Sequence, residues 1–247
     1  TASRDADGPI GRFEWDFGDG AKAEGVEVAH TYADPGVYQL RLIADDGTGV
    51  ANSRGGAAIA LPVNRPPEAS AGPDRVSCPG SPVDFDGSGS IDWDGKLIQH
   101  LWDFGDGSTA TGPKVRHGFA KPGLYEVRLS VTDDSGSSCA VAEDTALVRV
   151  NAAPVVEVRT DREAFSGGAH DGVLFDASNS FDPEGAALDY VWKLGDGTVR
   201  TGEKFRHAYS RPGVYDVRLS VRDRTGLACG QTETTLKVTV HDHATAA

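Results

Sequence analysis

The sequence predicts an all-β protein built as three sandwich repeats in a row, the first lacking its N-terminal strands. The first observation is a recurring landmark. Trp102-Asp103-Phe104-Gly105-Asp106-Gly107 returns upstream as Trp15-Asp16-Phe17-Gly18-Asp19-Gly20 and downstream, weakened, as Trp192-Lys193-Leu194-Gly195-Asp196-Gly197. The Trp positions lie 87 and 90 residues apart, and a second landmark keeps the same spacings: Pro35-Gly36-Val37-Tyr38, Pro122-Gly123-Leu124-Tyr125 and Pro212-Gly213-Val214-Tyr215. A period near 90 residues is too long for a helical solenoid unit and suits one small sandwich domain. The second observation is period-2 alternation after each Pro-Gly. Tyr125, Val127, Leu129 and Val131 alternate with Glu126, Arg128, Ser130 and Thr132, and repeats 1 and 3 do the same from Tyr38 and Tyr215. Such alternation marks a strand with one buried and one wet face. No window sustains a 3.6-residue period between caps, so almost no helix is expected.

Taken in order, repeat 1 spans residues 1–63, repeat 2 residues 64–150 and repeat 3 residues 151–240, with a polar tail at 241–247. With the offset of 87, Ser3, Asp5, Asp7 and Gly8 fall on Ser90, Asp92, Asp94 and Gly95, so repeat 1 begins inside a module. It lacks the counterpart of Asn64 to Gly87, the segment that carries two strands in repeat 2. Val63-Asn64-Arg65-Pro66-Pro67 and Val150-Asn151-Ala152-Ala153-Pro154 join the modules. Proline stiffens both and removes backbone donors, so they are short semi-rigid hinges. Gly-Asp-Gly and Pro-Gly supply the backbone angles that tight turns need.

Composition narrows the function classes. The 247 residues carry a net charge of −13 spread over all repeats, which argues against nucleic acid as a partner because phosphates need a basic surface. The charge is compatible with divalent cations, and equally with an ordinary soluble acidic surface. No apolar run approaches 18 residues, so no membrane insertion is expected. A chain without methionine has no initiator, and is expected to be a segment of a longer product.

The Trp-Asp-Phe-Gly-Asp-Gly signature, the Pro-Gly-x-Tyr strand opening, the Asp-Asp-x-Gly that follows it and the Asn-x-x-Pro linker together resemble tandem PKD (polycystic kidney disease) domains. The resemblance covers nearly the whole chain, with four landmarks in register. It implies tandem immunoglobulin-like β-sandwiches. Repeat 3 departs most, with Lys193 and Leu194 in place of Asp and Phe.

Among residues able to carry chemistry, Trp15, Trp102 and Trp192 are read as central core residues facing the opposite sheet, rather than as ligand platforms. Trp93 aligns with Ala6 and Pro183 in an Asp-rich loop, where it is a candidate for partner contact. His30, His117 and His207 stand one domain apart and cannot share a metal, so they are expected to be structural donors. Tyr38, Tyr125 and Tyr215 suit a tyrosine corner, the hydroxyl tying a loop to the sheet.

The carboxylates admit two readings. Ser90-x-Asp92-x-Asp94-Gly95 offers hard oxygen ligands at alternate positions before a turn glycine, as in the first half of a calcium loop. Leu101 at position 12 cannot ligate, which excludes an EF-hand. A sandwich could complete the set with linker Asn64 and turn residue Asp133, which belong at the same end. The resemblance points the same way, since some PKD domains bind calcium through linker and loop residues. The repeat 3 equivalents are Asn151, Asp182, Glu184 and Asp223; repeat 1 keeps Asp5, Asp7 and Asp46 but not the linker Asn. In the alternative reading, Asp, Asn and Gly simply make turns.

Cys78 and Cys139 could sit on adjoining edges of one sandwich, so a disulfide between them, and with it an oxidising compartment, is expected. Cys229 is the counterpart of Cys139; with the offset of 90 its partner position holds Gly168, leaving an inert buried thiol or an intermolecular bridge. There is no Gly-x-Ser-x-Gly, His-Glu-x-x-His or phosphate-cradling glycine loop. The expectation is a non-catalytic, extracellular or cell-surface spacer, stalk or assembly segment, with calcium stiffening its hinges. Its partners would be other protein chains, through self-assembly or neighbouring domains. The rival is an adhesion module binding a surface glycan or protein, appended to a secreted hydrolase. Truncated repeat 1 is expected to expose apolar side chains and unpaired backbone, to be covered by upstream sequence or by a strand from another chain.

Overall fold

The computed structural model describes residues 9–50, 53–160, 163–165 and 172–242. Every element among them is a strand, and none is a helix long and apolar enough to cross a membrane. Repeat 1 supplies β1 (Arg12–Asp16), β2 (Lys22–Glu24), β3 (Gly36–Asp45) and β4 (Arg54–Val63), in the sheet order β2-β1-β3-β4. Repeat 2 supplies β5 (Arg75–Ser77), β6 (Pro82–Asp86), β7 (Leu97–Asp103), β8 (Thr109–Thr111), β9 (Lys114–Gly118), β10 (Gly123–Asp133) and β11 (Val141–Val150). They form a five-stranded sheet β5-β11-β10-β7-β8 and a two-stranded sheet β6-β9. Repeat 3 supplies β12 (Arg159–Thr160), β13 (Glu163–Phe165), β14 (Val173–Asp176), β15 (Asp189–Lys193), β16 (Val199–Thr201), β17 (Lys204–His207), β18 (Gly213–Arg222) and β19 (Gln231–His241). Its sheets are β13-β19-β18-β15-β16 and β12-β14-β17. Backbone contacts group the chain into two compact units. One holds β1–β4, the Asn64 linker, Gly87–Leu101 and Leu129–Asp144; the other holds Ala71–Asp86, Trp102–Arg128 and the third repeat.

The alternating runs place their apolar members inward. Val127, Leu129 and Val131 in β10, and Val217, Leu219 and Val221 in β18, are buried, as are Trp102 and Trp192. Each Trp packs against an aromatic of the facing sheet, Phe85 at 5.5 Å from Trp102 and Phe175 at 5.3 Å from Trp192. Each indole N–H donates to a carbonyl at 3.0 Å, that of Gly25, Gly112 or Gly202. The core reading holds in full for Trp102 and Trp192, whereas Trp15 is only half-buried.

The Gly-Asp-Gly turn explains its own composition. Gly105 has φ +73°, and a Cβ there would lie 2.7 Å from the Glu126 carbonyl oxygen, so only glycine fits. The turn Asp then accepts the recurring His. Nε2 of His30, His117 and His207 stands 2.6, 2.7 and 2.7 Å from Asp19, Asp106 and Asp196 Oδ2. The tyrosine expectation also holds: Tyr38, Tyr125 and Tyr215 hydroxyls donate to the carbonyls of Asp34, Lys121 and Arg211.

The cysteine pairing differs from expectation. Cys78 is bonded to Cys229 with 5.7 Å between Cα atoms, and Cys139 is free and exposed. The reason is strand direction. β5 runs parallel to β11, so Ser77 pairs with Val150 at the far end of the strand, while Cys139 stands just before its start. The ten residues of β11 span roughly 30 Å, against a disulfide Cα separation of about 7 Å at most. The assumed counterpart of Cys78 also shifts. Ala164 stands opposite Val240 as Ser77 stands opposite Val150, so Phe165 takes the place of Cys78; Gly168 lies outside the described residues. The three extra residues of repeat 3 therefore fall between β13 and β14.

Candidate functional site

The two linker asparagines sit in equivalent side-chain clamps. Asn64 Nδ2 donates to Asp133 Oδ2 at 2.9 Å, and Asn151 Nδ2 donates to Asp223 Oδ2 at 2.8 Å. The other carboxylate oxygen of each Asp closes the turn after β10 or β18. Asp133 Oδ1 accepts from the Ser135 N–H and hydroxyl, and Asp223 Oδ1 from the Thr225 N–H and hydroxyl. The residue after each Asn is caught by the Asp-rich loop: Arg65 N–H donates to Asp94 Oδ2 at 2.9 Å, and Ala152 N–H to both Glu184 oxygens at 3.2 Å. Six of the predicted ligands are thus brought to the linker and spent, in part, on hydrogen bonds. Backbone hydrogen bonds orient the loops, with isolated bridges Glu68↔Ile91 and Val155↔Phe181 just behind the linkers.

Asp92 and Asp182 differ from the rest. Asp182 Oδ1 accepts from the Glu184 and Ala186 N–H groups, and Asp92 Oδ1 from the Asp94 N–H. In both residues Oδ2 is buried with no hydrogen-bond partner. Asp182 as a whole is only 6% exposed. Buried carboxylate oxygens without partners are rare because desolvation is costly. That two equivalent positions share the defect ties it to the repeat.

The electrostatics follow the geometry. The Ser135 hydroxyl holds the Asp133 carboxyl below the usual carboxylate range, aided by the Asn64 amide and the Ser135 N–H against burial. At Asp223 burial pushes upward, but Thr225 and the Asn151 amide outweigh it and the carboxyl stays low. Cys139 lies against this clamp, with Asn64 Nδ2 at 3.6 Å and Ser137 Oγ at 3.2 Å from its Sγ, and both hold its thiol below the usual range. Its counterpart Cys229 lies 3.9 Å from Asn151 Nδ2.

Sequence reasoning missed Asp134. A Cβ on Gly95 would lie 2.5 Å from Asp134 Oδ1 and 2.6 Å from Asp92 Oδ2, so the two carboxylates converge over that glycine. Repeat 3 has Arg224 in its place, turned to Asp189 at 3.2 Å. The Asp133-Asp134 pair was the available signal. In repeat 1, Asp46 closes the same turn through Thr48, while Asp5 and Asp7 lie outside the described residues. Among the described residues no three His, Cys, Asp or Glu side chains form a ready-made cation cage. A cation here would draw on asparagine, backbone or water oxygens beside one or two carboxylates, a donor set that suits calcium. Trp93 is 58% exposed; its indole N–H donates to Glu68 at 3.1 Å, and the Arg65 guanidinium lies 5.5 Å from the ring centre.

Comparison with known proteins finds matching segments in much longer chains. The chain is 33% identical over 150 residues to the pre-pro-metalloprotease PrtV of Vibrio cholerae, covering 60% of this chain and 15% of that protein. It is 31% identical over 220 residues to the dyslexia-associated protein KIAA0319 homolog of Rattus norvegicus, covering 81% of this chain and 20% of that protein. The chain therefore spans about a fifth or less of the length of these relatives. Among solved structures, the PKD1 domain of Vibrio anguillarum Epp aligns at 27% identity with a TM-score of 0.31, over 38% of this chain and 99% of that one. The family model for the PKD domain matches residues 1–60, 64–148 and 151–240, and the chain belongs to the PKD domain family.

Proposed function

We propose that this chain is a non-catalytic extracellular or cell-surface segment, a string of PKD domains serving as spacer or assembly module, whose hinges are stiffened by calcium. The observation that carries it is the paired orphan oxygens, Asp92 Oδ2 and Asp182 Oδ2, beside clamped linker asparagines. A hard cation would satisfy them and tie the linker to the domain body. Asp92 would anchor it in repeat 2 and Asp182 in repeat 3, with asparagine, backbone or water oxygens completing each set. The Cys78–Cys229 disulfide supports an oxidising location.

Calcium binding to the folded state raises the melting temperature by mass action. Differential scanning calorimetry and small-angle scattering, with calcium and then with chelator, test this. The expected result is higher melting and reduced spread of dimensions with calcium, with the third-repeat component lost in Asp182→Asn. Identical melting and dimensions with calcium and with chelator would remove the cation from the reading.

A second reading, an adhesion module attached to a hydrolase, draws on exposed Trp93 and on the metalloprotease relative. Trp93→Ala separates the two, since it would abolish ligand binding while leaving calcium-dependent melting unchanged.

A further inference from the structure

Lys193 breaks the signature of the other two repeats at a local cost. In repeat 1, Asp16 stands opposite Arg41, and its Oδ1 accepts the Gly18 N–H at 3.0 Å. In repeat 2 the counterpart Asp103 accepts the Gly105 N–H at 2.9 Å. A lysine ammonium has no acceptor, so repeat 3 forfeits this turn hydrogen bond. Lys193 also stands directly opposite Arg218, and like charges so placed are destabilising. A residue that breaks two local rules at once marks a position held for something other than stability.

The surroundings leave both cations uncompensated. Val199, Lys193, Arg218 and Thr235 form one row across β16, β15, β18 and β19, and the row holds no carboxylate. In repeat 2, Glu126 reaches Arg128 at 3.5 Å; its repeat 3 counterpart, Asp216, is one methylene shorter and lies 3.7 Å from Lys237 instead. Among the described residues neither Lys193 nor Arg218 has an ion-pair partner. Together with Val191, Ser220, Arg222 and Glu233 they line a groove of about 220 Å³ on the outer face of the sheet. Glu233 stands opposite Ser220, outside the cationic row, and accepts from the Gln231 amide at 2.9 Å.

We infer that this face of repeat 3 docks an extended segment of a separate protein, whose Glu or Asp carboxylate bridges Lys193 and Arg218. The guanidinium fork takes a carboxylate through two hydrogen bonds, and the lysine ammonium adds a third. The groove is smaller than an ordinary small-molecule pocket and suits one side chain rather than a whole ligand. Arg222 lies four residues along β18 from Arg218, roughly 13 Å in a strand. An extended segment with a second acid four residues on therefore meets both arginines, and its middle residue falls over Ser220 and Val191, which stand opposite one another. No lining residue is aromatic, so a sugar ring finds no flat apolar platform. Two copies of a chain carrying −13 repel one another, which disfavours a second copy as the occupant.

Two peptides titrated into the 247-residue chain at low ionic strength test it, Gly-Glu-Thr-Val-Thr-Glu-Gly and its glutamine form Gly-Gln-Thr-Val-Thr-Gln-Gly, with amide chemical shifts in β15 and β18 as the readout. The glutamate peptide should bind about tenfold tighter than the glutamine form, and should lose that margin in about 1 M salt. Lys193→Asp restores the residue of repeats 1 and 2. It should abolish the preference for glutamate while raising the melting temperature, which separates lost recognition from lost fold. Equal binding of the two peptides, a preference that survives Lys193→Asp, or no saturable binding of the glutamate peptide at millimolar concentration would overturn the proposal. Self-association of the dilute chain that Lys193→Asp abolishes would assign the face to a second copy, and tighter Lys193-dependent binding of chondroitin sulfate would assign it to an acidic glycan. Either result overturns the separate protein as occupant.

Discussion

The first and second repeats share their central landmarks, yet Trp102 is fully buried and Trp15 is not. Both Trp residues make the same indole-to-glycine hydrogen bond, and both precede the same Gly-Asp-Gly turn with its His partner. Local structure is therefore equal in the two. What differs is the second layer, the sheet β6-β9 that lays Phe85 on Trp102. A sheet buries its apolar face only against another layer, so the signature residues form the turn unaided but become a core only when a strand closes over them.

The largest expected effect breaks that comparison at its centre. Trp102→Ala should cost about 3–5 kcal/mol in denaturant unfolding, because a filled, closed site cannot collapse over the cavity. Trp15→Ala should cost clearly less, since part of that side chain already faces water. Equal costs in the two repeats would mean that Trp15 is as well covered as Trp102.

The junctions offer the next contrast. Repeats 2 and 3 are bonded through Cys78 and Cys229, while Cys139 at the preceding junction is free. Cys229→Ser should lower stability by about 2–4 kcal/mol. Cys139→Ser should change little. Non-reducing peptide mapping of the parent chain should recover Cys78 with Cys229, and finding Cys78 linked to Cys139 would reverse the assignment.

The smallest effect concerns the linker clamps. Asp133 and Asp223 titrate below the ordinary carboxylate range in the folded state. A carboxyl with a depressed folded value contributes stability that is complete above its unfolded value, about 3.9, and fades as pH falls through the lower folded one. Both junctions should hold at pH 6 and loosen below about pH 4, as amide exchange around Asn64 and Asn151 would report. Asp223→Asn should remove the acid dependence at the second junction alone.

Much of this architecture was legible in the chain. Period-2 alternation after each Pro-Gly identified β3, β10 and β18, because side chains alternate across a pleated strand whatever surrounds it. Repeat spacing located the turns, the tyrosine ties and the linkers. The Asn-to-Asp clamps were legible as residue types at one end of a sandwich, though not as hydrogen bonds already satisfied. Asp134 escaped notice because repeat 3 carries Arg224 there, and a feature confined to one repeat has no echo to reveal it.

The sequence by itself determined which residues turn, alternate and recur, since those properties depend on neighbours a few positions away. Only the tertiary structure decided the partner of Cys78, because the parallel pairing of β5 with β11 carries that residue to the far end of its module. It alone singled out Asp92 and Asp182, whose neighbours in sequence are equally acidic but whose second oxygens are enclosed by packing. Burial and long-range strand direction come from segments distant in the chain, and no local pattern encodes them.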